Sequence, residues 1–389
     1  MKACLVVLVG ASDRPHPALR GETPLSRARL PGVDAVRRAG RVGSLRTASE
    51  GRAPGFEAAL PRLLGYRPDE VPAAGPLEAA GMGRALRADE TAFMADFVTV
   101  LDGVMADPTG GSPRGEEAAL LRDAVNAALG GEGRLEPGSR AYRSLLFLAS
   151  EGAERTACRA PHALGGLPVE GHGPDGPAAA RLSELMRRAE SVLGPHEVNA
   201  VRLDLRENPV TGIWAWGGGR SPSLEPASER LGARIVLVSG PGYPKGLAEA
   251  AGCEHADAGE HEGRAAEAAL RALDGGADLA VVILGGALEA SLAGDPARKV
   301  GELERADASV VGPLLEGLAA RGAHRLAVCA DAAVSSADRR ALPDPVPFAL
   351  SGDGVPPGHR DAPFSEEGAR DSDLSVEEPA EFLAYVLGR

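Results

Sequence analysis

The chain has few lysines, few aromatic residues and an excess of acidic over basic side chains. Only three of its 42 basic residues are lysines, aromatic residues make up 3%, and 55 acidic residues give a net charge of −13. Because like charges repel, this balance excludes nucleic acid and anionic membrane surfaces as expected partners. The scarcity of aromatic residues means that alanine, valine and leucine have to fill the core.

Cysteine pairs and long apolar runs are also missing. The four cysteines, Cys4, Cys158, Cys253 and Cys329, lie far apart and form no CxxC motif, which excludes a disulfide framework and predicts reduced thiols. No run approaches the ~20 apolar residues of a membrane span. The apolar start at Leu5–Val9 is too short for a secretion signal. We predict a cytoplasmic protein with no membrane partner.

Short apolar runs bounded by Gly, Pro or Asp are typical of buried parallel strands. These runs are Cys4–Val9, Phe97–Leu101, Arg234–Val238, Leu279–Leu284, Arg325–Ala330 and Val346–Leu350. Helical periodicity lies between several of them, at Glu116–Leu129, Ala178–Leu193 and Val300–Leu318. Alternating strands and helices predict an α/β core whose sheet is mainly parallel and has helices on both faces. A length of 389 residues suits two domains, or one large core with an insertion.

Several short segments, in order along the chain, resemble those of one known family. They include Ser12–Pro15, Gly21–Leu25, Leu63–Tyr66, Gly75–Gly81, Asp102–Met105 and Asp344–Phe348. In this order they resemble the archaeal-type, cofactor-independent phosphoglycerate mutases, which belong to the alkaline-phosphatase-like superfamily. The resemblance implies a phosphatase-like α/β core, residues 1–105 and 206–389, with a smaller α/β domain inserted at 106–205.

The resemblance also implies a phosphoryl-carrying serine and two divalent metal ions, Mn or Mg, held by Asp and His side chains. In this sequence the serine position is Phe56, which has no lone pair with which to attack phosphorus. The positions implied for metal ligands are mostly apolar as well: Val9, Leu288, Leu292, Ala332 and Ala341. Asp331 is the one such position with a metal-binding side chain, so we expect no metal cofactor.

Two groups of polar residues remain as candidates for a functional site. Asp13, Glu57 and Asp331 would form a rebuilt acid–base site if they meet at the old active centre. Arg14, Arg46 and Arg220 are candidates for binding a substrate, although each is equally compatible with a solvated or structural role in a chain with 39 arginines.

Three functions are compatible with these residues. The main hypothesis is a phosphoglycerate-mutase-like protein that has lost metal-dependent phosphoryl transfer and acts by binding or regulation. Its partner would be a small acidic or phosphorylated metabolite, or another protein. The first alternative is an enzyme repurposed for metal-independent chemistry on a small acidic metabolite in specialised metabolism. The second is an active mutase that interconverts 3-phosphoglycerate and 2-phosphoglycerate in glycolysis.

Overall fold

The computed structural model describes residues 1–49, 54–220, 223–259, 262–358 and 362–389. The strands within these residues are β1 Lys2–Leu8, β2 Arg41–Leu45, β3 Glu90–Leu101, β4 Val104–Asp107, β5 Arg134–Pro137, β6 Arg143–Ala149, β7 Gly212–Gly219, β8 Ile235–Ser239, β9 Glu254–Asp257, β10 Leu279–Leu284, β11 His324–Ala330, β12 Ala333–Ser335, β13 Arg340–Leu342, β14 Val346–Gly352 and β15 Ser375–Val376.

The α-helices of the same residues lie between these strands. They are α1 Pro24–Arg27, α2 Pro31–Ala39, α3 Phe56–Leu63, α4 Ala74–Gly81, α5 Gly115–Leu129, α6 Ala179–Leu193, α7 Glu197–Asp204, α8 Ala227–Leu231, α9 Tyr243–Ala250, α10 Ala265–Asp274, α11 Gly286–Leu292, α12 Pro296–Ala306, α13 Gly312–Ala319, α14 Glu366–Arg370 and α15 Pro379–Leu387.

The larger sheet has eight strands in the order β15-β2-β14-β11-β1-β10-β8-β9. Strands β11, β1, β10, β8 and β9 are parallel, whereas β14 is antiparallel to β11 and β2 is antiparallel to β14. Residues 3–8 of β1 are all buried, as expected for a central strand covered on both faces. The predicted α/β fold with a mainly parallel sheet is therefore confirmed.

The smaller sheet is antiparallel and is built around the long strand β3, which pairs with β4, β6 and β7; β5 pairs with β6. It has its own core, in which α5 and α6 pack Leu121, Val125, Leu182 and Leu185. Strand β3 precedes residue 106 and β7 follows residue 205, so this sheet extends beyond the insertion that the resemblance implied.

Two strand predictions were wrong in their pairing. Phe97–Leu101 belongs to β3 in the smaller sheet, and Val346–Leu350 belongs to β14, which runs antiparallel. An apolar run shows that a strand is buried but not which neighbour it pairs with. The pattern predicted over Val300–Leu318 is divided between α12, a π-helical turn at Asp307–Val311 and α13, whose first turn contains Pro313.

Candidate functional site

The carboxyl ends of β1, β10 and β11 lie side by side because these strands are in register. Leu8 of β1 pairs with Leu284 of β10 and with Ala330 of β11. The residues that follow the three strands are therefore brought to one edge of the sheet, where open α/β folds place their reactive groups. Gly10 adopts φ +68°, and a Cβ there would lie 2.9 Å from the Leu288 Cα, so β1 leaves the sheet in close contact with α11.

The structure brings the six apolar positions together at this edge. They line one small cavity with Asp331, and all six are buried: Val9, Phe56, Leu288, Leu292, Ala332 and Ala341. The cavity measures about 10 Å³, which is at the lower limit of the space that a single water needs. Its wall is carbon on most sides, so a charged ligand placed there would have few polar partners.

Asp331 is the acid in this cavity. Its Oδ1 accepts a hydrogen bond of 2.7 Å from the Gly10 backbone N–H, while Oδ2 is buried without a partner. Burial raises the pKa of Asp331 to about 7, against the lowering effect of the bonds from backbone N–H groups. Half of this carboxyl group is thus unsatisfied in an apolar setting, which favours its protonated form.

A histidine that sequence reasoning missed lies on the same cavity. His162 is buried and its Nε2 lies 3.0 Å from Glu57 Oε1. Glu57 Oε2 is buried without a partner, and the negative charge of Glu57 contributes to the raised pKa of Asp331. His162 is in a short 3₁₀ turn, Pro161–Ala163, 105 residues from Glu57. No spacing or motif could have linked the two residues.

Phe56 forms the wall between this cavity and a larger one. Its ring makes an edge contact with Tyr243 at 5.3 Å and lies 6.1 Å from the His162 ring. The Tyr243 hydroxyl donates a 2.7 Å hydrogen bond to the Glu57 carbonyl oxygen, which fixes the start of α3. Behind the ring, the buried Arg143 pairs with Asp96 at 3.1 Å. Phe56 is therefore held from several directions.

The larger cavity has a volume of about 450 Å³ and is lined by charges of both signs. Its cationic side chains are Arg140, Arg143, Arg298 and Arg305, and its acidic side chains are Glu78, Glu262, Glu289 and Glu302. Arg140 pairs with Glu289 at 3.0 Å. Burial raises the pKa of Glu262, although the Gly285 N–H donates a 2.6 Å hydrogen bond to it. The cavity therefore offers guanidinium groups to an anion and a carboxyl group able to hold a proton.

The other predicted site residues lie elsewhere. Asp13 accepts a 3.0 Å hydrogen bond from the buried Lys299 ammonium group and faces a different cavity, which also contains Arg14. The three candidate arginines each pair with an acid, Arg14 with Asp344, Arg46 with Glu377 and Arg220 with Glu154. The structure thus brings Glu57 and Asp331 to one site, but it does not add Asp13 or collect the three arginines there.

The residues at the strand ends do not fit a pair of divalent cations. A zinc site needs three or four protein ligands, whereas each Mg²⁺ is usually held by one or two carboxylates together with substrate phosphate and water. Of the positions implied for ligands, Asp331 supplies a carboxylate and the others supply carbon. Across the described parts of the chain, no group of three or more His, Cys, Asp or Glu side chains is arranged to hold a metal ion. We therefore derive no catalytic step through a metal.

Comparisons with known proteins identify close relatives. The family model for 2,3-bisphosphoglycerate-independent phosphoglycerate mutase matches residues 38–199. A protein of Methanothrix thermoacetophila with that name is 34% identical over 100% of both chains. The 2,3-bisphosphoglycerate-independent phosphoglycerate mutase 2 of Methanothermobacter thermautotrophicus is 35% identical over 91% of this chain and 90% of its own.

Two solved structures share the fold. The PH0037 protein of Pyrococcus horikoshii superposes with a TM-score of 0.69 at 23% identity, over 100% of this chain and 97% of its own. The cofactor-independent phosphoglycerate mutase of Thermoplasma acidophilum gives a TM-score of 0.55 at 24% identity, over 100% of both chains. Neither alignment leaves out the smaller sheet, so the two-sheet architecture as a whole is shared. Among the described residues, no helix is long and apolar enough to span a membrane.

These similarities contradict our main functional hypothesis. We predicted a protein that has lost phosphoryl transfer and acts by binding or regulation. Relatives up to 34% identical over their full length are named as mutases, and such similarity favours the activity of the relatives. The prediction relied on a few positions at the strand ends, whereas the similarity extends over the whole chain.

Proposed function

Because the chain belongs to the 2,3-bisphosphoglycerate-independent phosphoglycerate mutase family, we propose that it interconverts 3-phosphoglycerate and 2-phosphoglycerate. The observation that carries this proposal is the 34% identity to a protein of that name over 100% of both chains. The proposal includes a role in glycolysis and a cytoplasmic location. Its expected ligand is a small phosphorylated acid, with no nucleic-acid or membrane partner.

The larger cavity supports this choice of ligand. Its volume of about 450 Å³ falls within the range of small-molecule sites. Guanidinium groups bind phosphate and carboxylate through paired hydrogen bonds, and Arg140 and Arg143 come from the smaller sheet region, whereas Arg298 and Arg305 come from α12. A phosphoglycerate placed between them would replace the glutamates that now pair with Arg140, Arg298 and Arg305 by its own anionic groups.

Moving the phosphoryl group from one glycerate hydroxyl to the other needs an acceptor oxygen other than residue 56, and the serine hydroxyls that line the larger cavity are those of Ser139 and Ser239. Phe56 offers no lone pair, so the phosphoryl group cannot be carried at that position. Glu262, whose pKa is raised by burial, is placed in the cavity to hold a proton. The Glu57–His162 pair, 3.0 Å apart, is a second acid–base pair behind the Phe56 ring.

The test is a direct assay of the interconversion, followed by phosphorus NMR, with and without 2,3-bisphosphoglycerate. We expect turnover of about 1 per second or more, the ordinary range for enzymes, and no need for 2,3-bisphosphoglycerate. Arg140→Ala should reduce kcat/KM by about tenfold or more. Arg14→Ala is the matched control, because Arg14 is exposed and pairs with Asp344 away from this cavity. Turnover no faster than the uncatalysed reaction would contradict the proposal.

A second candidate function is metal-independent chemistry on another small acidic metabolite. The observation in its favour is that acids and bases lie in or beside the cavity, namely Glu262 and the Glu57–His162 pair. A thermal-shift screen of carboxylic and phosphonic acids tests it. A non-phosphorylated acid that raises the melting temperature more than 3-phosphoglycerate would favour this candidate, and the reverse order would reject it.

A further inference from the structure

The residues at the ends of β1, β10 and β11 suggest that the chain differs from its family at this position. We propose that a closed apolar plug, centred on Phe56, fills the space that the resemblance assigns to two divalent cations, and that no divalent cation binds there. This inference goes beyond the proposed function, because it concerns how the site is built and predicts that any turnover is independent of added metal.

The first argument is the donor set. Two zinc-like ions would need about six protein donors between them, and two Mg²⁺ ions would need about two to four carboxylates beside substrate phosphate and water. The cavity is lined by seven apolar side chains, and its acid, Asp331, already uses one oxygen for the Gly10 N–H. Glu57 and His162 are bonded to each other. The carboxylate oxygens left without a partner are Asp331 Oδ2 and Glu57 Oε2, and of these two residues Asp331 alone lines the cavity, which is too few for two ions.

The second argument is space. The cavity of about 10 Å³ is at the limit for one water, whereas a hydrated Mg²⁺ keeps several waters around it. Phe56 and Leu288 line this cavity and the 450 Å³ cavity alike. These side chains therefore separate the small cavity from the 450 Å³ cavity. The edge contact between Phe56 and Tyr243, at 5.3 Å between ring centroids, holds the Phe56 ring in place.

The third argument is charge. A cluster of carboxylates without metal would repel itself, and each buried charge would destabilise the fold by several kcal/mol. Aliphatic and aromatic replacements remove that repulsion and bury apolar area instead. The described residues around the cavity fit this pattern, since Asp331 is buried among Val9, Leu288 and Leu292. The apolar side chains around Asp331 therefore suit a site that holds no metal.

Direct metal binding tests the proposal without relying on activity. The full chain is treated with EDTA, dialysed, incubated with Mn²⁺ or Mg²⁺, and analysed for bound metal and melting temperature. We expect less than about 0.1 ion per chain and a shift below about 1 °C at roughly 1 mM metal. One or two tightly bound ions, with a rise of roughly 5 °C or more, would overturn it provided that the binding depends on Asp331. If such binding disappears in Asp331→Asn, the ion sits in the plug; if it persists there, the ion binds elsewhere and the plug stands.

The plug itself is tested by tryptophan fluorescence. Trp216 lies 5.1 Å from the ring of His162, which lines the plug cavity, and it is one of two tryptophans. In a Trp214→Phe background, Phe56→Ala should increase acrylamide quenching of Trp216 by about twofold or more, because the passage opens. Phe56→Leu, which stays apolar, should fold and change quenching less.

Phe382→Ala is the matched control for this experiment, since Phe382 is fully buried and packs on Phe348. Equal quenching in Phe56→Ala and the parent would overturn the plug.

Failure of this inference can be separated from failure of the proposed function. Turnover without bound metal and unaffected by EDTA supports both. Turnover that requires a stoichiometric ion at Asp331 overturns the plug and leaves the mutase proposal in place. No turnover and no bound metal supports the plug and contradicts the mutase proposal.

Discussion

Asp13 and Asp331 are both buried close to where β1 and β11 end, yet their surroundings differ. Asp13 faces the Lys299 ammonium group at 3.0 Å and also accepts hydrogen bonds from the backbone N–H groups of Arg14 and Ser336. Lys299 in turn donates to the carbonyl oxygens of Ser12 and Val334. Asp331 has one hydrogen bond to Gly10 and an unpartnered oxygen.

The difference shows how this protein tolerates buried charge. An ion pair is stable in a protein interior only when its members are paired and their remaining donors and acceptors are satisfied. The Asp13–Lys299 pair meets that condition, with both side chains almost fully buried. Around Asp331 the neighbours are mostly aliphatic, and burial away from water raises the pKa of its carboxyl group. Three experiments address this comparison, in order of expected effect.

Removing the lysine from the satisfied pair should have the largest effect. Lys299→Met leaves the Asp13 carboxylate buried and unpaired, which we expect to lower the free energy of unfolding by about 3–5 kcal/mol. Urea denaturation at neutral pH measures it. The double variant Asp13→Leu, Lys299→Met should recover much of the loss, because no charge then remains unpaired. A loss below about 1 kcal/mol in the single variant would show that the pair is not buried as described.

The unsatisfied acid should make stability depend on pH. The folded pKa of Asp331 is about 7 and its ordinary value is 3.8, so between these pH values the unfolded chain has released the proton that the folded chain keeps. The contribution of this carboxyl group to the free energy of unfolding therefore falls as the pH rises from about 4 to 7. Above pH 7 that contribution stays constant. Between pH 5 and pH 8 we expect a decrease of about 2–3 kcal/mol.

Asp331→Asn is the control for that pH dependence, because it removes the titrating group and keeps its size. The difference between its unfolding free energies at pH 5 and pH 8 should be smaller than the parent's by about 2–3 kcal/mol. Other titrating groups are common to both proteins and cancel in this subtraction. Parallel pH profiles for the two proteins would mean that Asp331 is ionised in the fold.

The smallest effect is expected for the exposed pair of Arg46 and Glu377. Their side chains are 48% and 63% exposed, so Arg46→Ala should change the unfolding free energy by about 0–1 kcal/mol. As Arg46 does not line the 450 Å³ cavity, the variant should also leave kcat/KM unchanged. A tenfold or larger loss of kcat/KM, about 1.4 kcal/mol, would instead show that Arg46 binds the substrate, as the sequence analysis allows.

Several features were predictable because they depend on local pattern. The apolar runs of β1, β10 and β11 were located to within one or two residues, and α5 and α6 followed from their periodicity. The pairing partners of the strands could not be predicted in the same way. The run at Phe97–Leu101 is part of an antiparallel strand in the smaller sheet. Burial can be inferred from composition, whereas a partner strand is selected by contacts far along the chain.

The sequence by itself determined the family, the α/β fold and the apolar character of the residues at the strand ends, because these follow from residue types and their order. Only the tertiary structure decided that His162 faces Glu57, that Asp13 pairs with Lys299, and that four arginines share one cavity. Each of these contacts joins residues separated by many positions in the chain. Their meeting depends on strand register and on packing between the two sheets, which no local pattern encodes.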